Sequence, residues 1–253
     1  MTLSRRLLAL VTIPYAVLIL LYFALRVLAW LGLPVSDTDG GLFGSFVGIV
    51  SSLMPIVLVP SLPLVLLAAL LRMPRLALLL APIGLSFALL YGGLFLPRPA
   101  HSLTAAEPLT VYTHNLHVQS AGLEAATEAI RASGADVVAL QELTNPAAAY
   151  LRAALSDLYP YDALYPVGST TSGTGILSRW PLRDAEAWRA SMMQVRTVVE
   201  RPGAPFAFYS LHPPPPHWFL RPFDATGRAQ ALTSALERTA QETLPVVLAG
   251  DFN

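Results

Sequence analysis

The chain has 253 residues, 54% of them hydrophobic and 13% charged, and it contains no cysteine, which excludes disulfides, thiolate catalysis and Cys-ligated zinc. Its formal net charge of zero is a balance of opposites: residues 1–103 carry six Arg against Asp37 and Asp39, whereas residues 104–253 carry ten Arg against fourteen acids. An acidic polar half is the wrong sign for gripping nucleic acid by phosphate neutralisation.

In chain order, the first hundred residues read as membrane. Leu7 to Leu25 is nineteen residues without a charge, Leu42 to Leu71 gives thirty more and Leu76 to Leu96 another twenty-one. A bilayer core needs about 20 apolar residues, so three transmembrane helices are predicted, a multi-pass α-helical anchor over residues 1–97. Pro55, Pro60 and Pro63 lie inside the second run and predict a kink there. Arg5 and Arg6 precede the first run and Arg72 and Arg75 separate the second from the third, while "VSDTDGG" carries no Arg. Positive charge stays inside, which puts the N-terminus in the cytoplasm and everything after the third span outside it; Arg98 alone runs against this. A cleaved export signal beginning at "SRRLLAL" fits less well, because the apolar run is too long and two more spans follow. Residues 98–108, polar and Pro-rich, read as a linker to a soluble domain over 109–253.

That domain alternates strands and helices. "LTVYTHNLH" (109–117) has strand composition, "GLEAATEAIRASG" (122–134) is an amphipathic helix closed by Gly, and "DVVALQEL" (136–143) is a buried strand ending in polar residues. A helix is predicted near 146–158, strands near 173–179, 194–200 and 205–212, a helix near 225–242 and a last strand in "PVVLAGDFN". "PPPP" at 213–216 is a rigid loop that cannot pair in a sheet. The class is therefore α+β.

Four strands end in polar side chains: Asn115, Glu142, His212, and Asp251 with Asn253. Hard oxygen donors in small number suit Mg²⁺ or Mn²⁺, held by one or two carboxylates, several waters and phosphate oxygens. Singly, each has a plain structural reading as a solvated strand end or a turn. His114 and His117 read as structural, His217 and Trp218 as loop decoration, and His101 lies in the linker.

In order, "THN" (113–115), "ALQEL" (139–143), "GTGILSRWPL" (173–182), "YSLHPPPP" (209–216) and "LAGDFN" (248–253) resemble motifs of the endonuclease/exonuclease/phosphatase family of metal-dependent phosphoesterases, and "GRAQAL" (227–232) is similar to the helix before that family's final motif. The resemblance implies a two-sheet β-sandwich flanked by helices. It implies Glu142 as metal ligand with Asn115 beside it in the metal site, helping to position the metal or its waters, Asp251 orienting or deprotonating the attacking water, Asn253 donating to phosphoryl oxygens, and His212 contacting the phosphate or shaping the site. Ser178 and Arg179 read first as a strand-end hydrogen bond and an ion pair. With the apolar spans ahead of it, the whole resembles a bacterial branch anchored in the inner membrane, contacting lipid through three helices and acting on nucleic acid, a lipid headgroup or a small phosphorylated metabolite.

The resemblance also implies a second half after "GDFN" that supplies an Asp-His pair. From Leu109 there are 145 residues, against about 200–250 for a sandwich in one domain, so the expectation is a partial sandwich. Its C-terminal half would be missing and its last strand left at a sheet edge. Such a fragment is expected to bind metal weakly, to be poorly stable outside the membrane and to have little or no activity alone. The competing expectation is a catalytically silent, membrane-tethered scaffold on the same fold.

Overall fold

A computed structural model describes residues 3–36, 41–96, 108–117, 122–216 and 224–253. The linker reading, apart from Pro108, falls outside these residues, as do Asp37, Asp39, Arg98, His101, His217 and Trp218. The chain forms two compact units, residues 1–104 with 217–225, and residues 105–216 with 226–253.

The first unit is helical: α1 (Leu3–Trp30), α2 (Leu42–Ser52), α3 (Met54–Leu58), α4 (Ser61–Leu70) and α5 (Pro74–Tyr91), the last followed by a short 3₁₀ turn. Two helices, Leu3–Trp30 and Pro74–Leu94, are long and apolar enough to cross a membrane, or three segments if the bent pair Leu42–Ser52 and Met54–Leu70 is one span. That pair turns through 83°. The apolar run predicted as the second span is thus two helices set at an angle, a broken span or a re-entrant loop, rather than one kinked helix. Pro55 sits in the first turn of α3 and cannot donate to the carbonyl four residues earlier, so α2 stops at Ser52 and a new helix starts beyond Leu53. Tyr15 Oη donates to the Val57 carbonyl at 2.8 Å, and Tyr22 Oη lies 3.1 Å from Ser51 Oγ. Partner numbers fall as α1 numbers rise, so the chain around the α2–α3 break, from Ser51 to Val57, passes α1 in the opposite direction. Ala16, Val47, Leu58, Ala68 and Leu80 are fully buried between the helices, small residues among them allowing close approach. The outside is apolar too: Leu10, Leu78 and Leu89 are more than 70% exposed, a coat that suits hydrocarbon rather than water.

The second unit runs β1 (Val111–Asn115), α6 (Leu123–Ser133), β2 (Val137–Gln141), α7 (Asn145–Ala154), β3 (Tyr161–Tyr165), β4 (Thr174–Ser178), β5 (Leu182–Ala190), β6 (Met192–Val199), β7 (Phe206–Leu211), α8 (Thr226–Thr239) and β8 (Val246–Gly250). Two four-stranded sheets form, in order β1-β2-β4-β3 and β5-β6-β7-β8. Among the described residues only β1 with β2 and β7 with β8 pair in parallel, and each of those connections carries a helix, as a parallel crossover requires. Gly134 ends α6 in the left-handed region at φ 61°, and Thr144 caps α7 through Oγ1, which accepts from the Ala147 N–H.

The period of two explains the layering. Along β2, Val137 and Ala139 point between the sheets, while Val138 and Leu140 pack under α6 and α7 with Ile130 and Leu151. Along β7, Phe206 and Phe208 point between the sheets, and Ala207, Tyr209 and Leu211 face Ala235 of α8. The result is helices, sheet, sheet, helix. β8 is an edge strand, with Val246 37% and Leu248 41% exposed, as the sequence led us to expect.

α8 and the turn after it are tied to the second sheet by charge. Arg196 grips Glu242 with two hydrogen bonds of 2.8 and 2.9 Å, and Tyr209 Oη donates to the same carboxylate at 2.7 Å. The Arg196 hydrogen bonds hold the Glu242 carboxyl below its ordinary range, outweighing partial burial, with Tyr209 adding to the effect. Burial and then the Glu242 carboxylate push Tyr209 up to about 12. A carboxyl depressed in the folded state contributes stability above its unfolded pKa of about 4.3, and that contribution is lost as pH falls through the lower folded value. The denaturant midpoint of this unit is therefore expected to decline below about pH 4.3, less steeply in Glu242→Gln. Equal slopes in the two proteins would assign the decline to other groups.

Candidate active site

Because β1 runs parallel to β2 and β7 parallel to β8, the C-terminal ends of each pair emerge together. The register sets Asn115 opposite Gln141 and Leu211 opposite Gly250, so the next residues out, Glu142 from one sheet and His212 and Asp251 from the other, surface side by side. The Asn115 amide joins the sheets: Nδ2 donates to Glu142 Oε1 at 3.1 Å and to Asp251 Oδ2 at 2.9 Å. Two carboxylates separated by 109 positions in sequence are thus held within about two hydrogen-bond lengths of each other. Asn115 Oδ1 accepts from the His117 N–H at 2.9 Å.

Backbone geometry aims these groups. Glu142 takes φ 58°, an uncommon left-handed turn for a residue with a side chain, immediately after the fully buried β2. Gly250 takes φ 146°, and a Cβ there would lie 1.9 Å from the Leu211 carbonyl oxygen. Only glycine lets β8 close on β7 at that point and deliver Asp251.

Asp251 is kept ionised. Partial burial opposes its charge, but the Asn115 amide, the Asn253 N–H at 3.0 Å from Oδ1, and His212 outweigh it and hold the carboxyl below its ordinary range. Asn253 is exposed and its Nδ2 donates to the Pro213 carbonyl at 2.9 Å. His212 is 2% exposed and its Nδ1 is a buried atom with no hydrogen-bond partner among the described residues. Burial lowers the His212 pKa, against the pull of Asp251, Glu142 and the Thr171 backbone. All five residues predicted from the strand ends are therefore on one patch of the fold: Asn115, Glu142 and Asp251 in direct contact, Asn253 on Asp251, and His212 within electrostatic reach of both carboxylates.

A layer of buried polar residues beneath them escaped the sequence reading. Thr113 Oγ1 donates to Gln141 Oε1 at 3.1 Å, and Gln141 Nε2 donates to Ser210 Oγ of the other sheet at 3.3 Å. Gln194 clamps the His212 backbone from both sides, accepting its N–H at 2.8 Å and donating to its carbonyl at 3.2 Å. Gln141, Gln194 and Ser210 are fully buried. Their signal was a lone polar residue inside an otherwise apolar strand, "VVALQ", "MMQV" and "FYSL". Away from this floor, Ser178 Oγ accepts from the Trp180 N–H, Arg179 pairs with Asp136 at 3.6 Å, and His114 stacks on Tyr112.

The donor set fits a divalent cation. Among the described residues no group of three or more His, Cys, Asp or Glu comes together. Two converging, half-exposed carboxylates with an amide between them offer the oxygen donors that hard divalent cations take.

Residues 112–253, more than half of the chain, match the model of the Endonuclease/Exonuclease/phosphatase family. No curated protein matches the chain. Among solved structures it is similar to TDP2 from D. rerio complexed with a single-strand DNA product (18% identity, TM-score 0.47, covering 57% of this chain and 60% of that one). It is similar also to a family protein from Leptotrichia buccalis (17%, 0.45, 58% and 67%) and to a mannosyl-6-phosphatase from Bacteroides thetaiotaomicron (18%, 0.41, 58% and 66%). The chain thus spans about two thirds or less of the length of these proteins, and at such identities the likeness is one of fold alone. With four of the five motifs ending side by side at one end of a helix-flanked pair of sheets, and the family model covering the unit that carries them, the chain belongs to the endonuclease/exonuclease/phosphatase family.

Proposed function

We propose that the protein is a divalent-metal-dependent phosphoester hydrolase carried by a multi-pass membrane anchor. What supports the hydrolase most is the meeting of Glu142 and Asp251 on the Asn115 amide at the open ends of two parallel strand pairs. In this proposal Glu142 holds Mg²⁺ or Mn²⁺, and Asn115 fixes the spacing between Glu142 and Asp251. The cation, when bound, polarises the phosphoryl group. Asp251, ionised at neutral pH because Asn115 and the Asn253 N–H hydrogen-bond it, orients the attacking water and takes its proton. Asn253 keeps one amide hydrogen on Pro213 and turns the second to a phosphoryl oxygen, stabilising developing charge without adding a titrating group. His212, fixed by Gln194 and buried beside the two carboxylates, shapes the phosphate site.

The anchor is proposed as three spans. Support comes from the course of residues 51–57 past α1 in the opposite direction, and from the cavity that Arg5 near the start of α1 shares with Arg72 and Arg75. The shared cavity puts the N-terminus of α1 and the α4–α5 turn at one end, which two crossings between them satisfy, with α5 as the third. With positive charge inside, that end is cytoplasmic and the hydrolase unit lies outside, in a bacterial inner membrane. The acidic balance of residues 104–253 disfavours duplex DNA and leaves a lipid headgroup or a small phosphate ester as substrate.

Supplied with a C-terminal half of this family that carries an Asp-His pair, the purified protein is expected to hydrolyse bis(4-nitrophenyl) phosphate with Mg²⁺ or Mn²⁺ and to stop in excess EDTA, with little or no hydrolysis by the chain alone. Hydrolysis that survives EDTA would refute the metal mechanism, and no hydrolysis by the complemented protein with either metal would favour the silent scaffold.

A further inference from the structure

We propose that the cavity between α1 and the α4–α5 turn binds an anionic phospholipid, its phosphate on Arg5, Arg72 and Arg75 and one acyl chain along the apolar wall. The proposal rests on the membrane reading above and concerns a site separate from the hydrolase unit.

The cavity measures about 470 Å³, within the range of about 300–1,000 Å³ typical of small-molecule sites. Arg5, Ala9 and Ile13, spaced by four, form one face of α1. Arg5 is half-buried on that face, whereas its neighbour Arg6 is exposed. Opposite it the chain turns sharply at Arg72, φ 53°, and restarts as α5 at Pro74, so that Arg72 and Arg75 come to the same cavity from a turn and a first helical turn. Leu76 and Leu79 complete an apolar wall with Ala9 and Ile13.

Charge selects the occupant. Residues 3–36 and 41–96 contain no Asp or Glu, so three guanidinium groups gather where that part of the chain offers no counter-ion. Guanidinium forks match phosphate oxygens geometrically, and basic pockets between spanning helices on the cytoplasmic side take anionic headgroups. A free inorganic anion would leave Ile13 and the open side of Leu79 uncovered, and phosphatidylcholine would bring a trimethylammonium group against three Arg. An anionic diacyl lipid satisfies both walls at once.

The test uses the whole chain reconstituted in phosphatidylcholine vesicles doped with spin-labelled phosphatidylglycerol or spin-labelled phosphatidylcholine. Vesicle flotation first reports insertion, and electron paramagnetic resonance then reads the motionally restricted fraction of each lipid. The wild type is expected to restrict phosphatidylglycerol in several-fold excess over phosphatidylcholine. Each of Arg5→Gln, Arg72→Gln and Arg75→Gln should reduce that excess about fivefold, while Arg6→Gln leaves it unchanged. Ala9→Phe, which fills the cavity and keeps every charge, should abolish it. Equal restriction of the two lipids, or an excess that survives both the triple Gln variant and Ala9→Phe, would overturn the site while leaving the anchor intact. Failure to float in either vesicle would overturn the membrane reading itself.

Discussion

Glu142→Gln in the complemented protein is expected to lower metal-dependent hydrolysis of bis(4-nitrophenyl) phosphate by roughly 100-fold or more, since even residues one shell removed from a metal cost 10–100-fold when changed. The substitution keeps the side chain's size and its ability to accept the Asn115 hydrogen bond, so the fold stays and only the negative charge goes. Two carboxylates share one amide here, and the Asp251 charge alone would then face the cation. The loss should fall on kcat and on the metal concentration needed for half-activity, with thermal unfolding unchanged. A Glu142→Gln protein as active as the wild type at saturating Mg²⁺ would remove Glu142 from the mechanism.

Gly250→Val should be the most damaging single change in the second unit. An added Cβ would sit 1.9 Å from the Leu211 oxygen and 2.8 Å from its carbonyl carbon, backbone atoms that cannot swing aside. The φ of 146° is also closed to a β-branched residue. Strain and displaced pairing together are expected to cost about 3 kcal/mol or more, seen as a fall in the urea midpoint at constant slope. Because β8 is an edge strand, it can instead peel from β7, in which case amide hydrogen exchange at Val247–Ala249 rises while the rest of the sheet stays protected. Either result supports the close approach; a variant of wild-type stability and exchange contradicts it.

Much of this was legible in the sequence, for identifiable reasons. "VVALQE" announces a buried strand because its apolar run is short, β-branched and ends in polar residues, and "GLEAATEAIRASG" announces a helix by its period and its closing Gly. The two strands not anticipated lacked those signals. "LRDAEAWRA" (β5) has the Ala, Glu and Arg content of a helix; it is a strand because it pairs with β6 across a bulge between Arg183 and Glu186, a tertiary contact that overrides propensity. "YDALY" (β3) is only five residues beside turn signals. The second apolar run was half-read: three prolines foretold a bend, and the 83° turn came from the helix ending outright before Pro55. At the site, the polar strand ends pointed to Asn115, Glu142, His212, Asp251 and Asn253. The buried floor of Gln141, Gln194 and Ser210 stayed hidden, because which face of a strand meets the other sheet is decided by packing between distant segments.

The most direct test is Mn²⁺ titration of the purified chain followed by the loss of the free-ion electron paramagnetic resonance signal, a readout that needs no turnover. One Mn²⁺ per chain is expected to disappear from solution with the wild type, and that binding is expected to vanish in the Glu142→Gln, Asp251→Asn double variant, whose carboxylates are replaced by neutral amides of the same shape. Equal Mn²⁺ uptake by the two proteins, or none by the wild type, would contradict a cation site built where the two parallel strand pairs end.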